Sequence, residues 1–217
     1  AEDRLFTPGW LPAEPFTVLF VGKLIPLHGL ETILGAARAV PELAFRLVGS
    51  GQLDHLLRDR PPNVEWLPWV EYERLPEELH GAGCALGIFG TSAKARRVIP
   101  NKAFQALSCA TPLVTADTPA ARELLVDGES ALLVPPGEPD ALAHALQRLA
   151  TDETLARGLS VHTLRRRHQR LQEEARGNQA DTRNPKGIGR CAGNHQRLHS
   201  GNARRLRRPD SVEQHQD

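Results

Sequence analysis

The 217-residue chain has no methionine, one tyrosine and only 5% aromatic residues. A chain this long that opens on Ala1 and lacks methionine is expected to be a piece of a longer protein. Cysteine is scarce too. Cys84, Cys109 and Cys191 lie far apart with no Cys-x-x-Cys spacing, which excludes a zinc ribbon or a disulfide framework and fits a reducing, cytoplasmic setting. Long apolar runs are missing: Val18 to Val21 and Leu86 to Phe89 fall far short of the roughly 20 residues of a membrane helix, so no transmembrane segment is expected. No basic-then-apolar leader opens the sequence. No metal-ligand pattern stands out.

Charge is present but unevenly placed. Residues 165–217 hold thirteen Lys and Arg against six Asp and Glu, whereas residues 1–164 hold fourteen against twenty, so a net +1 conceals halves of +7 and −6. Past Arg165 the only Val, Ile, Leu or Phe residues are Leu171, Ile188, Leu198, Leu206 and Val212. That is too little apolar surface to offset an ordering cost of about 1–2 kcal/mol per residue, and 165–217 is expected to be a disordered basic tail. Three readings of it stand. It is a solvated tail, a segment that is not the natural C-terminus, or a phosphate-attracting patch through Arg204, Arg205, Arg207 and Arg208. Composition favours the solvated tail over nucleic-acid binding.

What remains is an alternation of short apolar runs and amphipathic stretches. Strands are expected at Phe16–Val21, Leu43–Val48, Val64–Leu67, Cys84–Phe89, Pro112–Thr115 and Ala131–Val134. Helices are expected at Gly29–Val40, at 53–57, around Leu75–Ala82, and at Lys102–Ala110, Pro119–Val126, Ala141–Ala150 and Leu155–Leu164. Such an alternation predicts an α/β, Rossmann-like, doubly wound parallel sheet over residues 16–164, with residues 1–15 a linker or the remnant of a preceding domain. Ligands of such sheets sit at the carboxyl ends of the strands. Three glycine turns fall there: Gly22-Lys23, Gly49-Ser50-Gly51 and Gly90-Thr91-Ser92. None matches a P-loop or a clean Gly-x-Gly-x-x-Gly, which disfavours an NTPase or a standard NAD site.

The order of several motifs resembles a known family. Val21-Gly-Lys-Leu-Ile-Pro-Leu-His-Gly29 is similar to the Gly-Arg-Leu…Lys-Gly segment that opens the C-terminal, donor-binding domain of family 4 retaining glycosyltransferases, which have the GT-B fold. Leu47-Val-Gly-Ser-Gly51 resembles the turn after that domain's second strand. The stretch from Ile99 through Pro100, Asn101, Lys102 and Gln105 to Val114 resembles its Pro-x-Lys-x-x-Glu-Ala-x-Ala-x-Gly-x-Pro-Val segment. The resemblance covers roughly residues 16–160. It implies one half of a GT-B fold and a nucleotide-diphosphate sugar as substrate, with no cofactor. The acceptor, of unknown identity, would be held by an N-terminal domain that this chain lacks. The cell site implied is the cytoplasm, with the inner membrane face as a second option.

Residue by residue, Lys23 takes the family's arginine position and His28 its lysine position, both facing the donor diphosphate. His28 is a departure, since a neutral imidazole offers a hydrogen bond where lysine offers a charge. The ribose-holding glutamate of the family's Glu-x7-Glu pair is matched by Gln105, and the pair's first acid falls on Arg97. The basic run to Arg97 leads into Asn101 and Lys102 at a helix start, where free N–H groups favour an anion. The diphosphate contacts expected are therefore Gly22, Lys23, His28, Arg97, Asn101 and Lys102, and the ribose or nucleoside contacts Gln105, Gly49 and Gly90. No catalytic acid or base is assigned; Asp117, Glu123 and Glu129 are available. A non-catalytic nucleotide-binding module or a truncated, inactive fragment is the competing reading, with nucleic-acid binding through the Arg-rich tail as a third.

Overall fold

The computed structural model describes residues 4–161, so the 165–217 tail lies outside the described residues. Six strands form one parallel sheet: β1 (Thr17–Val21), β2 (Ala44–Val48), β3 (Val64–Leu67), β4 (Cys84–Leu86), β5 (Leu113–Ala116) and β6 (Leu132–Val134). The spatial order is β3-β2-β1-β4-β5-β6. Each neighbour is parallel, with Val18 opposite both Phe45 of β2 and Cys84 of β4. The chain runs outward from β1 to β3 and then returns to β4 on β1's other side, so the order reverses between β1 and β4. That switch point is where such sheets open a crevice at their carboxyl edge.

Five helices cover the sheet: α1 (Leu30–Ala39), α2 (Leu75–Gly81), α3 (Asn101–Ser108), α4 (Pro119–Leu124) and α5 (Pro139–Thr151), with residues 153–161 helical beyond them. Strand side chains alternate between faces, and the two cores follow that alternation. Val18, Phe20, Phe45, Leu47 and Leu86 meet Ile33 and Leu34 of α1 and Leu142 and Leu146 of α5. Leu19, Val48, Ala85 and Leu113 face the other way, onto Leu79 of α2, Ala103 and Ala106 of α3 and Ala121 of α4. On α3 the residues buried in this layer are Ala103 and Ala106. Asn63 closes the end of α1: its amide nitrogen lies 2.9–3.2 Å from the carbonyls of Ala37, Val40 and Leu43.

Three local expectations are corrected. The apolar run Cys84–Phe89 is strand only to Leu86. Ile88 and Phe89 are buried in a loop instead, where the Phe89 N–H donates to the His28 carbonyl. The turn of helix at 53–57 is a 3-10 turn, Asp54–Leu57, entered through an Asp54 carboxylate that accepts from the Gly51 N–H at 2.6 Å. The fifth strand is shifted one residue, to Leu113–Ala116. Residues 5–13, read as a linker or domain remnant, lie against the body. Phe6 is buried with the α2–α3 core, Trp10 Nε1 donates to Ala82 O at 2.8 Å, and Leu11 N donates to His80 O at 3.0 Å.

Candidate functional site

The carboxyl ends of β1 and β2 are tied to each other by their turns. Gly22 N donates to Val48 O at 2.9 Å, Leu24 N to Ser50 O at 3.0 Å, and Leu53 N to Leu24 O at 3.0 Å. Two glycines make this approach possible. Gly49 has φ +134°, and a Cβ there would lie 2.0 Å from Gly22 O. Gly22 has φ +147°, and a Cβ there would lie 2.7 Å from Lys102 Nζ and 3.4 Å from His28 Cε1. Gly49 is closed to a side chain by both conformation and space, whereas at Gly22 the left-handed backbone disfavours one and a Cβ would displace the Lys102 side chain. Gly49 is further held by Trp66, whose Nε1 donates to its carbonyl at 2.8 Å.

Lys102 enters this edge from the start of α3. Pro100 precedes the helix in an extended conformation and no side chain caps it. From there the lysine stem crosses Gly22 and brings Nζ to 3.6 Å from the ring centroid of Phe20, a residue of the opposite core. The ammonium is buried and has no hydrogen-bond partner among the described residues. Burial pulls its pKa well below the usual lysine value. A cation over an aromatic face gains some attraction. It does not replace the hydrogen bonds that water gave it.

His28 stands beside it. A 3-10 turn at Pro26–His28, ended by Gly29 in the left-handed region at φ +70°, buries the imidazole to 9% exposure. Nδ1 donates to the Lys23 carbonyl, and the ring meets Phe20 edge-on at 5.7 Å. Burial, and then the nearby Lys102 charge, hold its pKa at about 4. Both basic groups at this edge are thus disfavoured in their charged forms.

The structure brings together Gly22, His28, Gly49 and Lys102, with Lys23 joined through its carbonyl while its side chain is exposed. Gly90 packs on the same loop from β4's side, where a Cβ would lie 2.4 Å from Leu27 O. It borders a hollow of about 410 Å³ with Gly29, Leu30, Thr32, Phe89 and Pro139. Asn101 is the exposed first residue of α3. Gln105 is one helical turn past Lys102 and shares a small cavity with it, but its Nε2 is directed at the Tyr72 hydroxyl, 3.4 Å away. Arg97 is the exposed end of the 3-10 turn Ala95–Arg97, and among the described residues no hydrogen bond or ion pair joins it to the Lys102 cluster.

Two contributors were not named from the sequence. Phe20 carries no polar atom and reads as core, so nothing flags it as the surface under the ammonium. Tyr72 offers a better signal, being the chain's one tyrosine, in the segment after β3 beside the 72% exposed Trp69. No helix of the described residues is long and apolar enough to cross a membrane.

Known proteins bear on this site. The family model described as "Glycosyl transferases group 1" matches residues 15–152. A phosphatidyl-myo-inositol mannosyltransferase of Mycobacterium leprae is 31% identical over 149 residues, covering 64% of this chain and 38% of its own. The chain thus spans about two fifths of the curated relatives it matches. Among solved structures, sucrose-phosphate synthase from Thermosynechococcus elongatus superposes with a TM-score of 0.67 at 24% identity, over 83% of this chain and 51% of that one. Anabaena Alr3699/HepE in complex with UDP-glucose gives 0.61 at 21% identity, over 70% and 43%. At these identities the structures establish the fold they share with this sheet, the Rossmann-like half of GT-B glycosyltransferases. The family match spans most of the described body, from just before β1 to the end of α5, and the chain belongs to the group 1 glycosyl transferases.

Proposed function

We propose that this chain is the donor-binding half of a glycosyltransferase that takes a nucleoside-diphosphate sugar at the switch point between β1 and β4. The observation that carries the reading is the buried ammonium of Lys102, left without a partner in the one crevice where the fold places ligands. A structural lysine so buried would be expected to find a carboxylate. One that waits for a diphosphate has none.

The chemistry follows from where charge grows. As the glycosidic bond to the donor breaks, the diphosphate oxygens gain negative charge, and a cation fixed beside them stabilises the transition state more than the ground state. Lys102 is fixed in this sense by Gly22 beneath it and Phe20 beside it. Lys23, exposed at the rim, adds a mobile charge, and the uncapped start of α3 at Asn101 adds free N–H groups. Gln105 meets the ribose through its amide, and Gly49 and Gly90 let the nucleoside approach the backbone. The acceptor and the opposite wall of the pocket belong to an N-terminal domain outside this chain. Support comes from the family match and from a structural neighbour crystallised with UDP-glucose.

Calorimetric titration of the full chain with nucleoside diphosphates tests the reading. Binding is expected, and Lys23→Ala weakens the diphosphate more than the matching monophosphate. Absence of binding across uridine, guanosine, adenosine and cytidine diphosphates would overturn it.

A further inference from the structure

We propose that His28 makes this site tell a free terminal phosphate from a glycosylated one, so that the released nucleoside diphosphate binds with one more proton than the intact donor. The inference rests on the donor reading above and concerns the position where lysine stands in the family motif.

The imidazole is not free to adapt. Its Nδ1–H is committed to the Lys23 carbonyl, which fixes the tautomer and leaves Nε2 as a lone-pair acceptor. Nε2 has no partner of its own among the described residues. The ring is enclosed by groups that do not help it charge. Phe20 of β1 packs against the ring edge-on, the loop after β4 offers the Phe89 N–H to the His28 carbonyl, and α3 brings the Lys102 ammonium. No carboxylate from any of these elements acts on it. A neutral imidazole is the resting state, in keeping with its depressed pKa of about 4.

The two ligands differ at the atom this nitrogen would meet. The terminal phosphate of a sugar donor is esterified on both sides, carries one charge and has no proton to share. The terminal phosphate of the free nucleoside diphosphate has a second ionisation near pH 6, so at neutral pH it is doubly charged. Two acceptors, a phosphate oxygen and Nε2, would then face each other in a crevice poor in water. A single proton placed between them converts that repulsion into a charge-assisted hydrogen bond. The proton comes from solvent, no covalent bond to the sugar or phosphate changes, and it returns to solvent when the diphosphate leaves. Lys102 is drawn toward its charged form by either ligand, and the His28 substitutions leave it in place.

The consequence is measurable as linkage. One additional proton taken up means that the Kd of the diphosphate rises about tenfold more than that of the donor for each pH unit above 7. The experiment is calorimetry on the full chain with UDP against UDP-glucose, and GDP against GDP-mannose, at pH 7 and 8. Each is run in two buffers of different ionisation heat to count protons. The wild-type chain is expected to take up one proton more with the free diphosphate. In His28→Asn and in His28→Lys the difference is expected to vanish, the lysine variant retaining a charge for both ligands; thermal melting verifies that each variant is folded. Equal proton uptake by both ligands in the wild-type chain, or a difference that survives both substitutions, would overturn the role of His28 while leaving donor binding intact. No heat with any of the four ligands would instead overturn the donor reading itself.

Discussion

Two cations, Arg46 on β2 and Lys102 on α3, are treated in opposite ways. On β2, Arg46 holds Glu65 of β3 at 2.7 Å and Glu78 of α2 at 2.9 Å. Those hydrogen bonds, Glu65 first, raise the guanidinium pKa further. At the β1–β4 switch point, Lys102 is more deeply buried, has no acid beside it, and is pulled down by burial alone. Arg46 is a structural tie, complete in the folded chain. On the proposed reading, Lys102 is half of an ion pair whose other half arrives with the donor. A partnered cation such as Arg46 keeps its compensation in the folded chain, whereas an orphaned one carries an uncompensated desolvation cost.

The comparison can be broken most sharply at Lys102. Lys102→Met keeps the stem and removes the charge, so nucleoside diphosphate binding is expected to weaken by about 1.5–3 kcal/mol, the range for a hydrogen bond to a charged group. The same variant should be more stable without ligand, by about 1–3 kcal/mol, because a buried polar group without a partner is gone. Calorimetry and urea melts would show the two effects with opposite signs.

Arg46→Met should do the reverse. It leaves Glu78, whose side chain is only 15% exposed, without its cation. A stability loss of about 1–2 kcal/mol is expected, since the site is partly open to water, with diphosphate affinity unchanged. Gln105→Ala is smaller still. It removes a hydrogen bond between neutral groups, worth about 0.5–1.5 kcal/mol, and should weaken mono- and diphosphates equally. A larger loss for the diphosphate would place Gln105 on the phosphates rather than the ribose.

A pH series sharpens the contrast without any ligand. Lys102 in the folded chain has a pKa below that of unfolded lysine, so between the two values the unfolded chain binds more protons and stability rises with pH. His28, held at about 4 against 6.5, acts the same way lower down: stability falls as pH drops from 6.5 toward 4. Difference melts against Lys102→Met and His28→Gln should isolate the two slopes. A variant with the wild-type slope would show that the group is not desolvated.

Much of the architecture was legible because burial on both faces writes itself as continuous apolar runs, as in Val18 to Val21, while β2 shows the same signal interrupted only by Arg46. The same signal overran β4. Ile88 and Phe89 are as buried as any strand residue, but hydrophobicity reports burial and not pairing, and the chain there turns to pack under the His28 loop. At the site, the glycines were visible as turn residues after strands. Their real constraint, backbone against backbone at Gly49 and Gly22, depends on strands that meet only in the fold. The burial of Lys102 was not legible. A lysine after Pro-Asn at a helix start reads as solvated, and only the alanine-rich packing of α3 and the missing side chain at Gly22 carry its ammonium across to Phe20. Gln105's neighbour Tyr72 lies 33 residues earlier, beyond any local pattern.

The proposed role of Lys102, an unpaired cation kept for a diphosphate, is tested most directly by its own titration. With the chain labelled at the lysine side chains, the Lys102 resonance can be assigned by its loss in Lys102→Met and followed against pH, first alone and then with saturating nucleoside diphosphate. The account predicts a pKa well below the ordinary lysine value in the free protein and a marked rise when the ligand is bound. An ordinary pKa in the free protein, or a depressed one that the diphosphate leaves unmoved, would contradict it.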